Sequence, residues 1–519
     1  MKNINKNQPN VIDPNNIQLK NLKILYSKRN FKDAILVTQK LLKEYPNSII
    51  LYTILGACYA ALKKFNMAII NYKKTLIINP NHAEAYFNIG IAFHDKGEIK
   101  KAIISYKKAI NIKFNYSNAY VNMGNSLKVI GNIEDAIISY KSALKFNPNH
   151  IDANYNLGVA YHDKGLMQLA MDNYKNVIIL SPNHIDALNN MGNIFKEYGN
   201  LDESIKSYTK SLKINPKHLK TASNLHILFI QIENNFSTNF EKIIPSELKE
   251  TPKYLIHQTI KYFINNDIKN AKSCLNKFKS NSKSGIRDLK KIDQKFCFSY
   301  FNYINSLIKT LPPNRNSSKL KIYHIGESHS LSFAHHEISL GKEKASIQPL
   351  LTIGAKAYHM SKNENNSYKA ITLNHLQSIP KASVVFLSFG EIDCRIDEGF
   401  LIASKKLDTA VSVLVNETIK KFIKWFKEIN CNLCHELYFF NLPAPIFRSE
   451  YNTEENQAIS KLIDTYNKIL FTQIKKTNFK IIDVYNNTIQ SDGYSNNLHH
   501  IDETHLGPSI LPWIENQIC

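Results

Sequence analysis

Two short stretches, far apart in the chain, hold residue types suited to nucleophilic catalysis: Gly326-Glu327-Ser328-His329-Ser330 and Asp502-Glu503-Thr504-His505-Leu506. The first follows an apolar run, Leu320-Lys321-Ile322-Tyr323-His324-Ile325, that predicts a strand. A serine in a Gly-flanked turn after a buried strand is exposed and within reach of a base. The second stretch supplies that base, His505, with Asp502 three residues before it to orient the imidazole. Ser328, His505 and Asp502 thus form a candidate set of nucleophile, proton acceptor and orienting group for acyl transfer. Each also has a plainer role open to it. Such a serine can cap a following helix, and a histidine near a C-terminal helix can sit on the surface.

These residues need a scaffold that brings them together. Apolar strand candidates fall at 320–325, 383–389, 436–442 and 479–485, with helical patterns near 329–340, 408–429, 454–475 and 508–517. Short continuous apolar strands alternating with helices predict a parallel sheet covered on both faces. Sites in such folds sit at the C-terminal ends of strands. Ser328 follows the first strand candidate, and Asp393 follows the second.

The order and context of the two motifs resemble the SGNH (GDSL-like) hydrolases over roughly 319–519. Gly326-Glu327-Ser328 matches the first block with Glu for the usual Asp, and Asp502-Glu503-Thr504-His505 matches the last. Gly354 stands where the second-block Gly would leave its N–H free for an oxyanion. The third block falls at Gly390-Glu391-Ile392-Asp393, with Ile392 where the family has an oxyanion-donating Asn. Arg395 is close enough in sequence to act as a cationic donor instead, or to pair with Glu391 and leave the loop structural. The resemblance implies a flavodoxin-like three-layer α/β domain and a cofactor-free esterase. In that scheme His505 takes the Ser328 proton, Asp502 holds the ring, and the N–H groups of Ser328 and Gly354, with Arg395, hold the oxyanion. Water releases the acid, whereas an entering sugar hydroxyl makes the site an O-acyltransferase. The implied substrate is an acylated glycan or similar small ester.

The first half is repetitive. Gly56, Gly90, Gly124, Gly158 and Gly192 recur every 34 residues, as do Tyr72, Tyr106, Tyr140, Tyr174 and Tyr208. Ala68, Ala102, Ala136 and Ala170 keep the same step, with Ser204 in fifth place. Pro46, Pro80, Pro148, Pro182 and Pro216 close most units, and Phe114 replaces one Pro. This pattern resembles the tetratricopeptide repeat, two antiparallel helices per unit stacked into a superhelix. The units run 15–48, 49–82, 83–116, 117–150, 151–184 and 185–218, with Leu22 in the Gly position of the first. A second ladder, Asn88, Asn122, Asn156, Asn190 and Asn224, lies on the first helices. Lining the concave face, its amides could hold an extended protein or peptide without reading its sequence. The same ladder can reflect no more than an Asn-rich chain. The array also resembles that of O-linked N-acetylglucosamine transferases, but about 280 residues remain beyond it. Those residues lack sugar-nucleotide motifs, so glycosyl transfer ranks last.

Between these regions, Tyr254–Leu275 predicts one diverged helical hairpin, and Phe296–Ile308 an aromatic helix that covers the array's end or docks the next domain. Pro312-Pro313-Asn314-Arg315-Asn316-Ser317-Ser318 has linker composition. The predicted domains are 15–235, an array with a capping helix; 236–318, a helical linker; and 319–519, the hydrolase-like domain. A chain of 519 residues with 43% apolar content can bury more than one core. The net charge of +23 comes mostly from scattered Lys, without the aromatic-interleaved motif of a nucleic-acid binder. Seven scattered cysteines, including a lone Cys431-Asn432-Leu433-Cys434, suit reduced thiols and a cytoplasmic location. Met1–Gln8 lacks a signal-peptide core, and no apolar run approaches the roughly 20 residues of a membrane helix. His329, His335, His336, His499 and His500 lack matching carboxylate spacing, so no metal is expected.

The best reading is a repeat scaffold that recruits a partner to an SGNH-like acyl hydrolase or transferase. Its alternative is a non-catalytic interaction scaffold with an inactive domain.

Overall fold

One tyrosine packed on one glycine builds every repeat after the first. In the computed structural model, which describes residues 13–232, 246–285, 289, 291–312, 318–396, 399–502 and 504–518, the ring of Tyr140 covers Gly124. A Cβ added there would lie 2.6 Å from Tyr140 Cε1, so the helices can close only on glycine. The chain divides into two compact units, Met1–Ala187 and Leu188–Cys519.

In the first unit, helices Asn16–Ser27, Phe31–Glu44, Ile49–Ala61, Phe65–Ile78, Ala83–Asp95, Ile99–Ile112, Ser117–Val129, Ile133–Phe146, Ile151–Asp163 and Met167–Leu180 follow one another as antiparallel pairs. Ala68, Ala102, Ala136 and Ala170 are fully buried between them. Leu22, in the glycine position of the first repeat, is also fully buried. Pro80, Pro148 and Pro182 each lie two residues beyond a second helix, where the helix cannot continue.

The second unit begins inside helix Ile185–Glu197, which pairs with Leu201–Ile214 and is followed by Leu219–Ile232. Helices Pro252–Ile264, Ile268–Gly285 and Lys291–Thr310 then form a bundle around Phe263, Phe278 and Ile304. That core continues into Leu331, Ala334 and Leu351 of the α/β region, so the bundle is docked on the sheet by apolar burial. Met1–Gln8, Pro313–Ser317 of the expected linker, Glu503 of the last motif and Cys519 lie outside the described residues.

The sheet has six strands: β1 (Leu320–Gly326), β2 (Glu337–Leu340), β3 (Glu343–Leu351), β4 (Val384–Ser388), β5 (Glu436–Phe440) and β6 (Lys480–Ile482). Their order is β2-β3-β1-β4-β5-β6. Neighbours pair in parallel except β2 and β3, which are antiparallel. The sheet is therefore mixed, not purely parallel as expected. The segment 329–340, expected to be helical, is instead a 3-10 turn (Ser328–Leu331) followed by the edge strand β2. Gly341, at φ +62°, turns the chain back so that Glu337 faces Ser346 and Leu340 faces Glu343.

β1 is central, with β3 on one side and β4 on the other. Gly326 ends it so close to β4 that a Cβ would lie 2.5 Å from the Ser388 carbonyl oxygen. One face of the sheet, with Ile325, Leu387 and Phe439, packs under helices Ser367–Ser378, Val411–Asn430 and Thr453–Ile474. The other, with Ile322, Phe386 and Phe440, packs under Phe333 and helix Leu511–Ile518. Among the described residues no helix is long and apolar enough to cross a membrane.

Candidate active site

β1 delivers Ser328 to the C-terminal end of the sheet, at the start of the 3-10 turn. Its Oγ lies 2.8 Å from His505 Nε2. On the other side of the ring, His505 Nδ1 lies 2.8 Å and 2.9 Å from the two Asp502 carboxylate oxygens. Asp502 Oδ1 also accepts the backbone N–H groups of Thr504 and His505, at 2.9 Å and 2.8 Å. This tight turn explains the three-residue spacing: the carboxylate folds back onto the histidine that follows it. Burial alone would raise the Asp502 pKa. The hydrogen bond and charge of His505, with the two N–H groups, override it and hold the carboxyl well below its usual range.

Tyr303, not singled out in the sequence, completes the surroundings with Glu327 and His329, neither of which has a catalytic role in the sequence reading. Tyr303, from helix Lys291–Thr310, lies flat on His505, donates to the Ser328 carbonyl at 3.1 Å and shares a 2.8 Å hydrogen bond with Ser332 Oγ. Its only sequence signal was the aromatic spacing Phe296, Tyr300, Tyr303. Glu327 Oε2 accepts the Ser328 hydroxyl at 2.5 Å. His329 donates from Nε2 to the Thr504 carbonyl at 2.9 Å and places Nδ1 3.9 Å from Glu327. Burial opposes charge on both, but they stabilise each other. With Arg395 nearby, Glu327 is drawn down to about 2, while Glu327, Glu391 and the Thr504 carbonyl raise His329.

The expected oxyanion groups are placed less directly. Gly354 sits in the turn after β3, at φ +72°, three residues past Leu351, the residue that pairs with Gly326. The array's last helix braces this turn: Gln231 Oε1 accepts the Ile353 N–H at 3.0 Å. Arg395 is gripped by Glu391, with Nη2 2.7 Å and Nε 3.1 Å from its carboxylate. That is the structural alternative for this loop. Ile392 is buried, and Asp393 accepts the N–H groups of Ala357 and Tyr358 at 2.7 Å and 3.3 Å, capping helix Ala357–Ser361. Burial pushes the Asp393 pKa up to about 7 despite those two bonds. A depression lies beside Glu327 and His329, the two residues flanking Ser328, and is further lined by Phe333, Ile392, Phe440 and Leu506.

Within the first unit, the ladder residue Asn156 donates to Asn125 Oδ1 at 3.1 Å, and Tyr140 donates to the same oxygen at 2.8 Å. Within the second, Asn224 donates to Asn189 and Asn193, each at 3.0 Å. Asn190 is buried, while Asn88 and Asn122 are half-buried. The ladder therefore divides between internal hydrogen bonding and partly accessible amides. The remaining histidines are tied up locally: His335 and His336 with backbone carbonyls, His499 and His500 with serine hydroxyls.

Profiles of the tetratricopeptide repeat match residues 83–116, 151–184 and 185–218, and a TPR repeat profile matches 130–165. No curated protein matches the chain. Among solved structures, MamA is 30% identical over 32% of this chain and 97% of its own, with TM-score 0.30. YrrB, a TPR protein described as having an unusual peptide-binding site, is 21% identical over 36% of this chain and 95% of its own, with TM-score 0.31. A thermophilic TPR protein of Thermus thermophilus is 19% identical over 34% of this chain and 97% of its own, with TM-score 0.30.

Proposed function

Taking the chain as a tetratricopeptide repeat protein, and hence a protein-interaction scaffold, we propose that its C-terminal domain is a serine acyl hydrolase or acyltransferase of the SGNH type. One observation carries this reading: Asp502, His505 and Ser328 stand in hydrogen-bonded series at the C-terminal end of the central strand, with Nε2 2.8 Å from Oγ. The strand order supports it, since the five parallel strands follow the flavodoxin-type sequence 2-1-3-4-5. The domain bounds 319–519 remain part of the proposal, as does a cytoplasmic location.

Attack forms an Oγ–C bond on an ester carbonyl, with the hydroxyl proton passing to Nε2. The proton then goes to the leaving alcohol, and His505 next activates water or an acceptor hydroxyl to release the acyl group. The backbone N–H groups of Ser328 and Gly354 serve the oxyanion, with Arg395 available once it leaves Glu391. The acylated glycan or similar small ester of this reading rests on the SGNH resemblance, and the depression beside Glu327 and His329 has mainly apolar walls. The array holds a protein or peptide in its groove through the partly accessible ladder amides of Asn88 and Asn122.

A second reading, a binding scaffold with an inactive domain, is favoured by Ile392 and by the grip of Glu391 on Arg395. A short activated ester separates the two. Turnover by the full chain that is lost in Ser328→Ala supports the hydrolase; equal rates, or none in either protein, support the scaffold.

A further inference from the structure

Ser328 Oγ is bonded on two sides, and its hydrogens do not suffice for an ordinary triad. Three contacts run in series: Asp502 to His505 Nδ1 at 2.8 Å, His505 Nε2 to Ser328 Oγ at 2.8 Å, and Ser328 Oγ to Glu327 Oε2 at 2.5 Å. Each contact needs one hydrogen between its heavy atoms. A neutral imidazole with its hydrogen on Nδ1 supplies the first, and the serine hydroxyl supplies one more. The third must come from an extra proton, either on His505 Nε2 or on Glu327.

The surroundings decide between them. Glu327 is buried with His329 beside it on its own turn and Arg395 nearby on the loop after β4, and these cations keep it ionised. The other titratable groups facing this cluster are His500 and Asp502 from the C-terminal loop, Glu391 beside Arg395, Tyr300 and Tyr303 from helix Lys291–Thr310, and His324 from β1. Burial holds His324 and His500 neutral and keeps the Tyr300 and Tyr303 hydroxyls protonated, so none of these four adds a charge beside Glu327. The third hydrogen therefore sits on His505 Nε2, and the serine hydroxyl points at Glu327.

We infer that Glu327 is a catalytic residue that holds Ser328 in check: in the resting site the serine donates its proton to Glu327 while His505 carries the extra one. The nucleophile becomes competent only when Nε2 loses that proton to water and the hydroxyl turns from Glu327 to His505. Glu327 cannot replace His505 as the base, because a carboxylate held ionised this firmly is too weak to take the proton during attack. This inference rests on the hydrolase reading for its consequence in catalysis, whereas the proton count rests on the hydrogen-bond geometry and on the cations beside Glu327.

The test uses the full chain with ¹⁵N-labelled histidine and long-range ¹H–¹⁵N spectra, with His505→Gln identifying the signals of that ring. In the wild type both ring nitrogens of His505 carry hydrogen in the resting site. Ser328→Ala removes the bridge but keeps the Glu327 charge, and it lowers the ring's titration midpoint by about one pH unit. Glu327→Gln does the same, whereas Glu391→Gln, which removes a nearby charge without touching Ser328, moves it far less. Labelling of Ser328 by a fluorophosphonate at about pH 6 then runs about tenfold faster in Glu327→Gln than in the wild type. A wild-type ring with hydrogen on one nitrogen alone in the resting enzyme, or midpoints unchanged in both Ser328→Ala and Glu327→Gln, overturns the inference. Shifted midpoints with no labelling at any pH leave the proton count standing and overturn the hydrolase reading.

Discussion

Tyr303 lies face to face with His505, ring centroids 3.9 Å apart and planes 20° apart. The tyrosine belongs to helix Lys291–Thr310, well before the strand that carries the serine, yet it fixes both the base and, through its hydroxyl, the Ser328 carbonyl. An aromatic pair of this kind contributes about 0.5–1.5 kcal/mol beyond its burial. The candidate site is thus a product of two regions that the sequence pattern separates.

Tyr303→Leu removes the stack and both hydrogen bonds, freeing the His505 ring to tilt. Small misplacements of catalytic groups can lower rates about 100-fold, so kcat/KM for an activated ester should fall by about that factor. Tyr303→Phe keeps the stack and should lose about tenfold or less, consistent with the roughly 1–2 kcal/mol of a buried hydroxyl's bonds. Steady-state kinetics on the two variants measure the split. Equal, small losses in both would mean that the stack does not position the base.

Gln231 braces the turn that holds Gly354 by accepting the Ile353 N–H at 3.0 Å. Gln231→Ala leaves that N–H without its partner, at a stability loss of about 1–3 kcal/mol. If the Gly354 N–H serves the oxyanion, kcat should drop while KM stays near its wild-type value, because the missing support acts only in the transition state. Gln231→Glu, which retains the acceptor, should restore kcat. Chemical denaturation and initial-rate measurements report the two effects separately.

Much of this was legible along the chain. Strands β1, β4, β5 and β6 were readable because Ile322 and Ile325, Val385–Leu387, Leu437–Phe440 and Ile481–Ile482 form dense apolar runs that only a covered sheet can bury. β2 and β3 were not, because Lys342, Glu343 and Lys344 interrupt the apolar pattern and the pairing depends on the Gly341 turn. Pro349 within β3 further disguised it, although it sits opposite His324 in a parallel pair. Ser328, His505 and Asp502 stood out by type, order and strand context. Tyr303 and Gln231 did not, since their roles arise from neighbours 202 and 122 residues away that only the folded chain supplies, and Glu327 was visible in the motif without its bond to Ser328.

Ile392 stands where the SGNH resemblance expects an oxyanion-donating Asn, and it lines the depression beside Glu327. Removing one oxyanion donor from a serine protease costs about 100- to 1000-fold in kcat. Ile392→Asn should therefore raise kcat by about tenfold or more, with KM little changed. Burying the amide should also lower stability by about 1–3 kcal/mol. Activated-ester kinetics alongside thermal unfolding would show both. A fall in kcat would mean that the loop supplies its donor by another route.

Asp393 is almost fully buried, and burial lifts its pKa to about 7. In the unfolded chain the same carboxyl titrates at about 3.9, so the folded state binds the proton more tightly. A raised carboxyl favours the fold at low pH, and this contribution is lost as pH rises from about 4 through 7. The loss is on the order of 3–4 kcal/mol at most, since each tenfold gain in proton affinity is worth about 1.4 kcal/mol. Asp393→Asn cannot ionise, so its stability should lack this part of the decline. Urea denaturation at about pH 5 and pH 8 checks it. Parallel pH profiles for the two proteins would count against the buried, raised carboxyl.

The amide ladder makes a divided prediction. Asn156 and Asn224 spend their side-chain N–H groups on neighbouring amides, whereas Asn88 and Asn122 are half-buried on the equivalent helical positions. Asn156→Ala should cost stability, about 0.5–1.5 kcal/mol, by deleting its bond to Asn125. Asn224→Ala should cost somewhat more, since it removes two bonds. Asn88→Ala with Asn122→Ala should leave the melting temperature nearly unchanged while weakening a bound peptide by several-fold, because amides in a groove act on a ligand's backbone rather than on the fold. Calorimetric melting and pull-down of a partner separate these classes. Should the Asn88 and Asn122 pair destabilise the array as much as Asn156 does, the ladder holds the repeats together and its amides are not free for a ligand.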